Sequence, residues 1–82
     1  MTRCAIGERT AELVTRIIRQ YPHRTADNIA AITNQEIEHE QMSGLNYPLD
    51  ARKIVSFLRF HPDGQQIVNE GLMTTPSRNR KE

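Results

Sequence analysis

Between Glu8 and Tyr21 the apolar residues Ala11, Leu13, Val14, Ile17, Ile18 and Tyr21 recur at spacings of three and four, which gathers them on one stripe of a helix. Glu8, Arg9, Glu12, Arg16 and Arg19 fall on the opposite side, and Glu12 precedes Arg16 by four residues, the favourable order for a surface ion pair. Pro22 ends this helix, because a proline bars the residue before it from the helical region. A second helix starts after Thr25, a good N-cap residue, with Asp27 in the first turn and Ile29, Ala30 and Ile32 as its buried side. Thr33 and Asn34 either stop it or cap a new helix through "QEIEHEQM", where Ile37 and Met42 are the apolar anchors. "SGLNYP" reads as a loop.

Asp50 is placed to cap a helix from Ala51 to Phe60. At about 100° per residue, Ala51, Ile54, Val55 and Leu58 face one way with Phe57 at the border, while Arg52, Ser56 and Arg59 face the other, beside Lys53 and Phe60. His61-Pro62 closes it. Asp63 can cap once more, and Gln66 completes a capping-box spacing. A short helix through Ile67, Val68 and Glu70 stops at Gly71, with Leu72 folding back on Ile67 or Val68. The expected organisation is a flexible N-terminus over residues 1–7, one helical domain over 8–73 and a disordered basic tail over 74–82.

Composition narrows the classes. A chain of 82 residues forms one domain that buries only roughly 60% of its unfolded surface, which leaves no depth for an active-site cleft. The single cysteine, Cys4, cannot form an internal disulfide, and neither a signal peptide nor a membrane-length apolar run is present, so a cytoplasmic protein is expected. Net charge is +1, too little for indiscriminate adhesion to nucleic acid. Its distribution is uneven. Arg3, Arg9, Arg16, Arg19 and Arg24 crowd the start, and Asp27, Glu36, Glu38, Glu40 and Asp50 follow without a Lys or Arg among them. Arg52, Lys53 and Arg59 then restore basic charge, as do Arg78, Arg80 and Lys81.

A long first helix, a short one of the type "TADNIAAIT", a basic helix from Asp50 to Phe60 and a segment beginning near "EGLM" resemble, over about two thirds of the chain, a helix-turn-helix domain of the winged-helix kind. The resemblance implies an all-α or mostly α domain of three to four helices with a small wing near Met73, acting as a DNA-binding transcriptional regulator. The interval Asn34 to Leu49 departs from the pattern, being far longer than the usual turn between those helices. Either an extra helix is inserted there, or "TNQEIEHEQM" is the recognition helix and sets acidic charge where phosphate must be met. With Asp50 to Phe60 as the recognition helix, Arg52, Lys53, Ser56, Arg59 and Phe60 are the DNA contact set, with Arg24 as a further basic contact. One helix reading one half-site binds weakly, so a homodimer or a protein partner is expected beside double-stranded DNA.

The competing class is a protein-protein interaction module or inhibitor, such as a virus or plasmid encodes, docking on a nucleic-acid enzyme through its acidic centre with Glu36, Ile37, Glu40 and Met42 as contacts. In that case Ile37, Met42 and Leu45 should be exposed. Glu36, His39 and Glu40 can share a helix face, but without cysteine partners or the two-histidine helical spacing they make no metal site. No Ser-His-Asp signature or phosphate-gripping glycine loop is present and Cys4 precedes the first helix, so no catalytic residues, no cofactor and no small-molecule substrate are expected.

Overall fold

The computed structural model describes residues 5–74; Arg3, Cys4 and the basic residues of the C-terminal tail lie outside the described residues. Four helices follow one another, α1 (Glu8–Gln20), α2 (Ala26–His39), α3 (Ala51–Phe60) and α4 (Pro62–Asn69), with no strand among the described residues. The protein is a small all-α domain. Where a wing is expected near Met73, the described residues form no strand. After Gly71 one backbone hydrogen bond, His23 N–H to the Leu72 carbonyl at 2.8 Å, ties the segment to the α1–α2 turn, and Met73 is buried as core.

The stripe of α1 is buried as its spacing requires, at Ala11, Leu13, Val14, Ile17 and Ile18. Tyr21 leaves it: as the C-cap before Pro22 it has φ −129° and ψ 69°, and the residue is 38% exposed. Arg16 reaches across to Glu36 of α2 at 3.8 Å in place of the expected pairing with Glu12. Before α1, Ile6 is buried in the core, and the Ala5 N–H donates to the Ser56 hydroxyl of α3 at 2.9 Å.

The second helix begins at the Thr25 cap, whose hydroxyl accepts from Asn28 N–H at 3.1 Å, and then runs straight through Thr33 and Asn34. The expected break is absent because both polar side chains are satisfied without unwinding the helix. The buried Thr33 hydroxyl donates to the Ile29 carbonyl one turn back at 2.7 Å. The Asn34 amide forms a two-bond clamp on Leu49, donating to its carbonyl at 2.9 Å and accepting from its N–H at 2.8 Å. No separate helix starts in this stretch: residues 33–39 continue α2. Ile29, Ala30, Thr33 and Ile37 form one buried face. Gln41, at φ +52°, ends α2: its N–H donates to Glu38 and that of Met42 to Ile37, a Schellman motif built without glycine.

The long α2–α3 connection is pinned at both ends. Besides the clamp on Leu49, Asn46 Oδ1 accepts from Gly7 N–H and from the Thr10 hydroxyl, while Asn46 N–H donates to Thr10 Oγ, all at 2.9 Å. Thr10 is 1% exposed, so this network lies under α1's first turn.

Asp50 caps α3 as expected, accepting from Lys53 N–H at 3.0 Å. α3 packs between α2 and α4. That sandwich buries Ile54, Phe57 and Leu58 and leaves Val55, expected in the core, half-buried on the far side, so Phe57 is central rather than peripheral.

At its end His61 serves two helices. Its N–H closes α3 on the Phe57 carbonyl, and its Nδ1 accepts from Asp63 N–H at 3.1 Å, capping α4 with Pro62 in the first turn. Asp63 thus lies inside the helix it was expected to cap, and Gln66 donates to Glu70 instead of completing a capping box. Gly64 lets the two helices touch: a Cβ there would stand 2.1 Å from the Phe57 carbonyl oxygen and 2.8 Å from Leu58 Cα. α4 ends as expected at Gly71 (φ +78°), whose N–H and that of Leu72 donate to Val68 and Ile67. No helix among the described residues is long and apolar enough to cross a membrane.

Candidate functional site

The packing of α3 decides which of its side chains reach the surface. Because Ile54, Phe57 and Leu58 are consumed by α2 and α4, the opposite side carries Ala51, Arg52, Val55, Ser56, Arg59 and Phe60, which line an open groove of about 450 Å³. Arg52 and Arg59 stand seven residues apart and so nearly on one line of the helix, with Val55 and Ser56 between them. Phe60 flanks this line and is 45% exposed.

Arg52 is exposed and makes no ion pair among the described residues. The rest of the expected DNA contact set is more constrained. Lys53 is half-buried, and its ammonium donates to the Pro48 carbonyl at 3.1 Å, which draws its charge towards the loop. Ser56 accepts from Ala5 N–H, and Arg59 is half-buried with its carbonyl held by the Gln65 side chain at 2.8 Å. Arg24 is apart from this groove: it sits in the α1–α2 turn, 5.8 Å over the Tyr21 ring and 3.3 Å from Asn28 Oδ1.

In the acidic segment Glu36, Glu38 and Glu40 each have a polar partner, and the apolar anchors are turned inward. Glu36 pairs with Arg16, Glu40 lies 3.1 Å from His39, and Glu38 accepts from the Tyr47 hydroxyl, a contact that raises the phenol's pKa above its usual value, with burial adding to the rise. Ile37 is only 4% exposed, and Met42 and Leu45 are packed on the core. The exposure of Ile37, Met42 and Leu45 that would favour docking through this segment is not seen: the 3.6-residue period places Ile37 on the same face as Ile29, Ala30 and Thr33, and Met42 and Leu45 are partly buried.

Val55 is the site residue that sequence reasoning misassigned, and Ala51 went with it. In "ARKIVSFLRF" Val55 lies about 60° from Arg52 and equally about 60° from Leu58, so periodicity places it at the border of the two faces and the packing of α3 decides between them.

His61, expected with Pro62 to close α3, is buried against Phe57 with ring centroids 5.3 Å apart, and its Nε2 lies 3.3 Å from the exposed Glu8 carboxylate. Its position at a helix junction gives it a structural task. Among the described residues no three His, Cys, Asp or Glu converge as a metal site would require.

Comparison of the chain with protein-family models, with curated proteins and with solved structures finds no match.

Proposed function

We propose that the protein is a small interaction module that binds another protein through the outward face of α3. The observation that carries this reading is the composition of that face. Aliphatic and aromatic surface at Val55 and Phe60 is framed by two arginines, while the neighbouring lysine is drawn off to a loop carbonyl. Aromatic residues and arginines are enriched where proteins bind one another and lysines are depleted, because a planar guanidinium on a short apolar floor loses little hydration and still directs its donors. The acidic centre is the alternative docking surface. With Ile37 buried and Glu36, Glu38 and Glu40 each engaged within the molecule, α3 is the better surface.

A photo-crosslinking residue at position 60, compared with one at position 12 on the exposed side of α1, tests this in the cells that make the protein. Protein adducts should form from position 60 and disappear with Arg52→Glu. Equal adducts from both positions would refute it.

A second reading is a DNA-binding transcriptional regulator that uses the same helix. It is favoured by Arg52, exposed and without an ion partner among the described residues, in line with Ser56 and Arg59. Against it stand the Asp50 carboxylate at the leading end of α3, the diverted Lys53 and the apolar groove, none of which suits phosphate. Amide shifts confined to residues 52–60 on titration with duplex DNA, fading as salt rises, would establish this second reading and displace the first.

A further inference from the structure

Resting on the protein-docking reading, we infer that the α3 groove receives an acidic amphipathic helix whose carboxylates are spaced seven residues apart around an apolar pair. Arg52 and Arg59 set the spacing. At 1.5 Å per residue they are about 10.5 Å apart along the axis and only about 20° apart around it. A helix laid along α3 presents its own positions i and i+7 with that separation, and its positions i+3 and i+4 then lie level with Val55 and Ser56, with Phe60 flanking at the Arg59 end. Leucine or methionine at i+3 and i+4, with glutamate or aspartate at i and i+7, satisfies both the apolar floor and the cationic rim. A guanidinium has five N–H donors, so Arg59 can take such a carboxylate beside contacts within its own chain.

Charge complementarity excludes two other occupants. Packing α3 against α3 of a second copy brings Arg52 and Arg59 against the same two arginines. The sequence of residues 77–82, "SRNRKE", has three basic residues and one acidic residue, so it does not supply the pair of carboxylates that two arginines call for. The acidic helix has neither shortcoming, and it turns the two arginines into specificity elements that reject basic helices.

Three synthetic helical peptides of one scaffold decide the matter, with Glu, Gln or Lys at the two positions seven apart and leucines between, each titrated against the labelled full chain by NMR at two salt concentrations. The Glu peptide should shift the amides of residues 51–60 and bind about tenfold more tightly than the Gln peptide, the gain of two partly exposed ion pairs, with the difference shrinking as salt rises. The Lys peptide should bind most weakly. Arg52→Glu should bring the affinities for the Glu and Lys peptides together or reverse their order. That variant keeps the fold, since a carboxylate in the first turn of α3 suits the helix dipole, and a denaturation midpoint checks it. Equal binding of the Glu and Gln peptides would overturn the acidic occupant and leave the docking reading standing. If no peptide shifts α3, both are overturned, and duplex DNA shifting it instead would identify the replacement.

Discussion

α3 is joined to its neighbours by two connections of opposite kinds, and their difference shows how this domain holds a helix face outward. On one side His61 alone ends α3 and starts α4. On the other, residues 40–50 wander between α2 and α3 with no regular structure. The short junction is held by backbone sterics and one cap, with Gly64 allowing α4 to lie against the Phe57 carbonyl. The long one is held by side chains from distant elements, Asn34 on Leu49 and Thr10 on Asn46. Both bury Ile54, Phe57 and Leu58 on the inner side of α3, which forces Arg52, Val55 and Phe60 outward. A tight junction thus tolerates almost no added volume, whereas a long loop tolerates volume and depends on hydrogen bonds.

The sharpest break of this contrast is Gly64→Ala. Its methyl would meet backbone atoms that no rotamer can move aside, so α3 and α4 must separate, destabilising the domain by about 3 kcal/mol or more. In a chain this small that is a large share of the total, and urea denaturation should show extensive unfolding in dilute buffer. A variant within 1 kcal/mol of the parent, taken roughly as a tolerated overpacking change, would disprove the close approach.

Next in size is Asn46→Ala, which leaves the buried Thr10 hydroxyl and the Gly7 N–H without their acceptor and should cost about 2 kcal/mol. Hydrogen exchange separates it from the first variant. Amides of the 40–50 connection should exchange faster while those of α3 and α4 keep their relative protection, and uniform acceleration would show that the loop is not a separable unit.

Gln41→Gly runs the other way. Relief of a left-handed non-glycine residue is worth roughly 1–2 kcal/mol and the added unfolded-state freedom returns roughly 0.5–1, so the loop end of α2 should gain about 0.5 kcal/mol. A rise of a few degrees in Tm checks it; a fall would mean that the Gln41 side chain contributes more than its backbone strain costs.

The smallest effect concerns the surface pair between α1 and α4. Arg19 donates to Glu70 at 2.7 Å, and hydrogen bonds from Arg19 and then Gln66 hold the Glu70 carboxyl below its ordinary value of 4.5. A carboxylate with a depressed folded pKa stabilises above its unfolded pKa and loses that contribution as pH falls through the folded one. The stability gap between the parent and Glu70→Gln should therefore be constant near neutrality and close as pH drops below 4.5. A gap unchanged under acid would show that the pair is idle.

What could be read directly from the chain were the features that local chemistry settles. The stripe of α1, the caps at Thr25 and Asp50, the stop at Pro22 and the glycine end at Gly71 depend on residues within one or two turns of each other, and each stands where the sequence places it. The four-helix, all-α character follows from them. What required the folded molecule were features set by partners far along the chain. Asn34 looked like a helix breaker because its partner, Leu49, is fifteen residues away. Val55 looked like core because only the positions of α2 and α4 reveal which side of α3 is covered. The docking face is of this second kind: periodicity sorts residues around a helix axis, but it takes the neighbouring helices to decide which part of that circle stays open to another molecule.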